Sequence, residues 1–360
     1  MRDIGILKLL SETAGVTGSE KSIAVIVKNI FEKFCNETII DEFSNVIGVM
    51  KAKVRDYGNS EDKPVKIMYT AHLDEVGMIV KKIETGGFVK IGKIHGVDPK
   101  TLVSKKLTIH SSTGPIKGIV ASIPPHLSNE EDRRKAVTFD DIYVDTGLSE
   151  ESVKEKISVG DMVSFSQEFE TYGLDMAAGK SLDNRAGVFS LIKTMQILKD
   201  KSFSYDIIFL AAVSEEFNSL GAITGTYKIE PDIAVVVDVN HAKMGVTDGG
   251  DNRQIFSQGK GPVVCKSPIL SPKLTQGLVN ICKGMGMKVQ IEVDNKDTGT
   301  DALYVSLAQK GCATALLSIP LKYMHTQVEM INIKDIELTA EVMAQLSLQN
   351  SILVRDYICY

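Results

Sequence analysis

The chain has 360 residues, 43% hydrophobic and 24% charged, with a formal net charge of -5 and ten prolines. That length suits two domains, or one large α/β domain with an insertion, and the composition excludes a disordered or low-complexity protein. Interspersed acids and bases leave no basic face for nucleic acid, and no apolar run approaches the roughly 20 residues that span a bilayer.

Helical periodicity predicts helices over 4–13 and 19–34, with 15–20 forming a turn into a capped start. Strands follow over 38–41 and 46–54, then an exposed loop over 56–62, then a compact apolar strand over 65–70 that leads to His72 and Asp74. From 78 to 167 the texture changes to short strands with turn punctuation: 78–83, 88–91, 106–110, 116–122, 142–145 and 161–165. This reads as a small β-barrel or sandwich inserted into the chain, with the charged stretch 124–141 as a mobile excursion.

After the insert, 172–187 runs into a periodic helix over 188–198, which puts Asp183 near a helix start. The continuous apolar run 207–213 reads as a strand buried on both faces, and it stops at two adjacent carboxylates, Glu215 and Glu216. A helix over 220–228, a strand over 233–237 ending at Asp238, a helix over 272–285 and a strand over 288–293 come next. Gly299-Thr300-Asp301-Ala302 starts a helix to 309, a strand over 313–319 ends near His325, and an amphipathic helix over 335–354 closes the chain. The predicted fold is α/β: a mixed, mostly parallel sheet with helices on both faces and an inserted small β-barrel domain. Its catalytic domain would be 1–77 plus 168–360, and the insert 78–167.

Open α/β sheets carry their sites at the carboxyl ends of strands. His72, Asp74, Asp183, Glu215, Glu216, Asp238 and His325 all fall at such ends or at helix starts, and converge if the sheet is one. Taken singly, Asp183 reads as a helix cap, Asp238 as a turn former and Glu215-Glu216 as a solvated loop. Taken together, two imidazoles and several carboxylates suit a borderline divalent metal, with too many acids for one tetrahedral ion. Two ions are the better count. The spacing His72-Leu73-Asp74 sends both side chains to one face, where the carboxylate can orient the ring.

Other chemistries fit less well. No G-x-S-x-G or H-E-x-x-H occurs, and Gly249-Gly250 and Gly259-Lys260-Gly261 lack the context of a phosphate loop. A glycosidase would use two carboxylates but gives two histidines no role. His95, His110 and His126 read as surface or structural residues of the insert, and His241 as a neighbour of the Asp238 site. Residues 1–5 lack the apolar core of a secretion signal. The cysteines Cys35, Cys265, Cys282, Cys312 and Cys359, odd in number and without a C-x-x-C pair, suit reduced thiols in the core of a cytoplasmic protein.

The motifs A-H-L-D-E-V-G (71–77), S-L-D-N-R-A-G (181–187), S-E-E-F-N-S-L-G-A (214–222), V-V-D-V-N-H-A (236–242), T-G-T-D-A (298–302) and K-Y-M-H-T (322–326) come in an order that closely resembles the M42 dinuclear metallo-aminopeptidases. These are the glutamyl and tetrahedral aminopeptidase group, some of which carry an endoglucanase label. The resemblance covers nearly the full length and implies a zinc-peptidase-like fold. It implies that His72 and Asp238 hold one metal, Glu216 and His325 the other, and that Asp183 bridges them. Glu215 would be the general base and Asp74 the partner of His72. Zinc or cobalt would be the metal, with manganese next.

The activity implied is removal of N-terminal residues from short peptides, by a homo-oligomer whose insert builds dimers and whose dimers build a dodecamer. Two alternatives are a metal-binding homologue without turnover and a dinuclear deacylase. This chain departs from the commoner family pattern at Ser214, at Phe217 to Ser219, at Lys322 where Arg is frequent, and at Ser44 where Gly is usual. All proposed ligands are retained, so the departures bear on substrate preference.

Overall fold

The computed structural model describes residues 4–54, 65–122, 126, 135–244 and 254–358. The loop expected at 56–62, Gly249, Gly250, Cys359 and much of the charged stretch 124–141 lie outside them.

Four parallel strands, Asp206–Ala212, Lys66–His72, Ile233–His241 and Ala313–Lys322, form the centre of an 11-stranded mixed sheet. Their side chains alternate between two cores. Ile67, Tyr69, Ile207, Phe209 and Val235 pack on one face, and Met68, Ile208, Leu210, Ala234 and Val236 on the other. Helices Leu182–Leu198 and Ile333–Ser347 cover the first face, and Leu220–Ile229 and Ala302–Leu307 the second. Burial on both sides is what makes these strands read as continuous apolar runs.

The flanks are antiparallel. Glu37–Ile40 and Val46–Met50 lie on one side, and Glu329–Asn332, Met176–Gly179 and Glu170–Tyr172 on the other. Val263–Lys266 branches off, antiparallel to Ala313–Lys322 and parallel to Gln290–Val293. Four of these strands were not expected: Glu329–Asn332, Met176–Gly179, Glu170–Tyr172 and Val263–Lys266. They are only three or four residues long, and Met-Ala-Ala-Gly or an exposed Glu-Thr-Tyr carries no usable period.

The insert contains six strands closed into a barrel, in the order Gly77–Ile83, Val89–Ile94, Tyr143–Asp145, Gly114–Val120, Lys106–Ser111 and Met162–Phe165. Each corresponds to an expected strand, and Met78, Val80, Ile91, Ile109, Val163 and Phe165 contribute to a separate core inside. One helix there, Glu150–Lys156, was missed because seven mostly charged residues show no apolar stripe. The Ser149 hydroxyl caps it by accepting the Ser152 N–H at 3.3 Å.

Two helix expectations need correction. The cap expected before 19–34 does not form: helix Lys21–Phe31 starts after Glu20, whose carboxylate accepts from the Gly18 N–H (3.0 Å) and the Ser214 hydroxyl (3.2 Å). The closing helix is two, Ile333–Ser347 and Ser351–Tyr357. The break is anchored at Gln349, whose carbonyl accepts from the Tyr205 hydroxyl and whose side chain accepts from Tyr357.

Register aligns the site. Ala212 pairs with His72, and Val236 pairs with Thr70, which brings Asp238, two residues on, level with His72. The strand expected to end at 237 runs on to His241 because Ala313–Lys322 continues to pair with it through Leu321. Asp238 is therefore a strand residue and not a turn former. Among the described residues no helix is long and apolar enough to cross a membrane.

Candidate active site

His72 is buried at the end of its strand with Nε2 aimed at three carboxylates: Asp183 Oδ1 at 3.1 Å, Asp238 Oδ1 at 3.7 Å and Glu215 Oε2 at 3.9 Å. Asp183 turns its other oxygen to His325, with Oδ2 3.2 Å from Nε2, and Glu216 Oε2 lies 3.3 Å from the same nitrogen. Asp183 thus stands between the two imidazoles. It sits in the first turn of helix Leu182–Leu198 with non-helical angles (φ -78°, ψ 105°), after a left-handed Ser181.

The donor set fits divalent cations. Two ligands about 2.0–2.1 Å from one tetrahedral ion lie roughly 3.3 Å apart. The ligand atoms of His72, Asp183 and Asp238 fall within 4.8 Å of one another, as do those of Asp183, Glu216 and His325. Glu216 Oε1 is buried without a hydrogen-bond partner. Burial, reinforced by the Asp183 charge, pushes the Asp238 carboxyl up to about 8 and raises that of Glu216. Glu215 is raised well above the usual carboxylate range by burial and by Asp238, Asp301 and Glu216. Burial opposes charge on Asp183 too, but the His325 and His72 hydrogen bonds outweigh it and hold its carboxyl low. Crowded carboxylates of this kind are relieved by bound cations.

Asp74 does more than the sequence suggests. Its Oδ1 lies 3.5 Å from His72 Nδ1, a nitrogen that is buried without a hydrogen-bond partner. The same carboxylate accepts the backbone N–H groups of Glu215 (3.0 Å) and Glu216 (3.2 Å) and the Thr17 hydroxyl (2.7 Å), so it fixes the glutamate turn. The turn is tight. Ser214 and Ser219 are both left-handed (φ 60° and 55°), and the Ser214 carbonyl accepts from Asn218 and Ser219. Gly221 closes it, since a Cβ there would lie 2.2 Å from the Val213 nitrogen.

Three residues near the site were missed or misread. Glu329, fully buried, accepts the N–H of Asp183 on Oε2 and the N–H of His325 on Oε1, both at 2.9 Å. Its only sequence signal is a glutamate four residues past His325. Asp301, also buried, has both carboxylate oxygens unpartnered, and burial pushes its carboxyl up to about 6. His95 is exposed, as expected of a surface residue, but it also lines the cavity beside His325, next to Gly96, where a Cβ would sit 3.0 Å from His325 Nδ1. His241 lines the same cavity, His110 bonds Ser164 at 2.8 Å on the outer face of the barrel, and His126 is exposed.

A family model described as M42 glutamyl aminopeptidase matches residues 53–342. The chain belongs to the M42 peptidase family. It is accordingly a metal-dependent aminopeptidase, a hydrolase of peptide bonds. It is 32% identical over 346 residues to a lysyl aminopeptidase of Pyrococcus furiosus, covering 95% of this chain and 96% of that one. Among solved structures, a TET aminopeptidase from the marine sediment archaeon Thaumarchaeota archaeon SCGC AB-539-E09 is similar at a TM-score of 0.89 and 26% identity, covering 98% of each chain. The TET1 peptidase of Pyrococcus horikoshii is similar at a TM-score of 0.82 and 26% identity, covering 96% of this chain and 99% of that one.

Two of the departures from the commoner M42 pattern can be placed in the structure, and nothing in it explains Lys322. Ser44, at φ 78°, occupies a left-handed position of the kind glycine favours. Phe217 is 63% exposed and lines the cavity with Asn218 and Ser219, so the unusual residues after the glutamate pair face the substrate side. Glu329 holds the backbone of Asp183 and His325; if these two residues hold metal, Glu329→Gln, which turns an amide NH2 toward one of those N–H groups, is expected to weaken metal binding about 10- to 100-fold. Calorimetric titration of the metal-free protein measures it; unchanged affinity would show that Glu329 does not position the ligands.

Proposed function

We propose that the chain removes N-terminal residues from short peptides with two divalent ions, zinc or cobalt first and manganese next. His72 and Asp238 would hold one ion, Glu216 and His325 the other, with Asp183 shared. The observation that carries this reading is the division of Asp183, one oxygen 3.1 Å from His72 and the other 3.2 Å from His325. When bound, the ions supply a Lewis acid for the scissile carbonyl and lower the pKa of water toward neutrality.

The two glutamates take different parts. Glu216 is buried against His325, while Glu215 is the more open of the two and lies at the cavity, where it can reach a substrate proton. Glu215 would take the proton from the attacking water and pass it to the leaving amine. Asp74 keeps Glu215 in place through its backbone N–H and would orient His72.

Four free cysteines among the described residues, three of them buried, agree with a cytoplasmic setting. The P. horikoshii relative is described as assembling into a tetrahedron or a large octahedral shell. We propose that this chain is also a homo-oligomer, and that the barrel of the 78–167 insert is its subunit contact module.

Removal of metal by a chelator should abolish release of N-terminal residues, and zinc or cobalt should restore it. N-acetylated peptides should be inert. Hydrolysis of the acetyl group would instead favour a deacylase, and metal-loaded protein inert toward every free-amino peptide would overturn the peptidase reading.

A further inference from the structure

We propose that Glu292 and Asn240 close the pocket for the substrate's first side chain, and that this pocket selects peptides beginning with lysine or arginine. The proposal rests on the aminopeptidase reading, since it names the residue that the same site removes.

The cavity beside the ligands measures about 430 Å³. Phe217, Val239, Leu303 and Tyr304 give it apolar walls that suit the methylene stem of a long side chain. Beyond the residues assigned to the ions and to catalysis its acids are Glu292 and Asp297, and among the described residues no lysine or arginine lines it.

Asn240 stands two residues past Asp238 in the same extended strand. Its side chain therefore shares the face of Asp238, about 7 Å further along, a span that an extended lysine side chain covers. Its Nδ2 donates to Glu292 Oε2 at 3.4 Å, and this bond sets the orientation of the amide, because an ionised carboxylate only accepts. Asn240 is nine-tenths buried, lines the cavity, and its Oδ1 has no donor. The pocket thus ends in a partly buried carboxylate, whose one side-chain donor is the long bond from Asn240, and in an amide carbonyl that lacks a donor. An ammonium or guanidinium group supplies the missing donor and the charge opposite to the carboxylate. An acidic first residue would meet like charge, and a neutral one would bring neither a donor for the Asn240 carbonyl nor a charge to offset the burial that raises the Glu292 carboxyl.

The test compares kcat/KM of the metal-loaded enzyme for lysyl, arginyl, leucyl and glutamyl anilides. The wild type should favour lysine and arginine over leucine by about tenfold or more. Glu292→Gln should lower the lysine-to-leucine ratio by about 10- to 100-fold, the loss expected for a charge-assisted hydrogen bond. Glu292→Lys should lower it further and raise glutamate relative to lysine. Because each ratio is taken within one variant, any general loss of activity or folded protein cancels. A wild type that prefers glutamate, or lysine-to-leucine ratios unchanged in both variants, overturns the pocket assignment while leucine turnover leaves the peptidase intact. No turnover of any of the four by the wild type overturns both readings.

Discussion

Glu215→Gln is expected to retain both metal ions and to lose on the order of a hundredfold or more in kcat, the usual cost of removing a general base. Glu215 is the more open of the pair, its Oε2 3.9 Å from His72 Nε2, and it can also be grouped with His72 and Glu216 as a metal donor, so metal content is part of the test. The amide is isosteric, and the backbone N–H of residue 215 still meets Asp74, so the turn should keep its shape. What disappears is the group that can accept a proton. Metal analysis and initial rates on the same sample decide it: full metal with wild-type turnover would move the general base elsewhere, and lost metal would make Glu215 a ligand.

Asp183→Asn has the opposite signature. One amide cannot present an anionic oxygen to both imidazoles, and whichever end carries the NH2 faces a cation or a ring nitrogen. Metal content should fall below one ion per chain, with turnover at background. The fold should survive, because the hydrogen bond from residue 183 to Glu329 uses the backbone N–H. Circular dichroism of the variant checks that point, and two retained ions would show that Asp183 is not shared.

The parts of the site that could be read from sequence are those tied to strand ends. His72, Glu215, Glu216 and Asp238 each follow or interrupt a strongly apolar run, because the central strands are buried on both faces and polar groups appear only where the sheet opens. The same contrast delimited the six barrel strands. Asp74 was found for its spacing to His72, but its bonds to the glutamate turn required the register that sets Ala212 beside His72.

Glu329 and Thr17 were not legible. Glu329 acts on ligands through their backbone N–H groups, and Thr17 reaches Asp74 across 57 residues of chain, so neither leaves a local pattern. That exposed His95 also faces the cavity follows from the Val89–Ile94 strand of the barrel leading to the cavity wall, which leaves no local pattern. Short flanking strands such as Met176–Gly179 depend on neighbours for pairing and have no period of their own.

The shared position of Asp183 is tested most directly by anomalous diffraction from crystals of the protein loaded with cobalt or zinc. Two peaks are expected per chain, one beside Asp183 Oδ1 with His72 and Asp238, the other beside Oδ2 with Glu216 and His325. A single peak at full loading, or two peaks of which only one touches Asp183, would contradict the assignment.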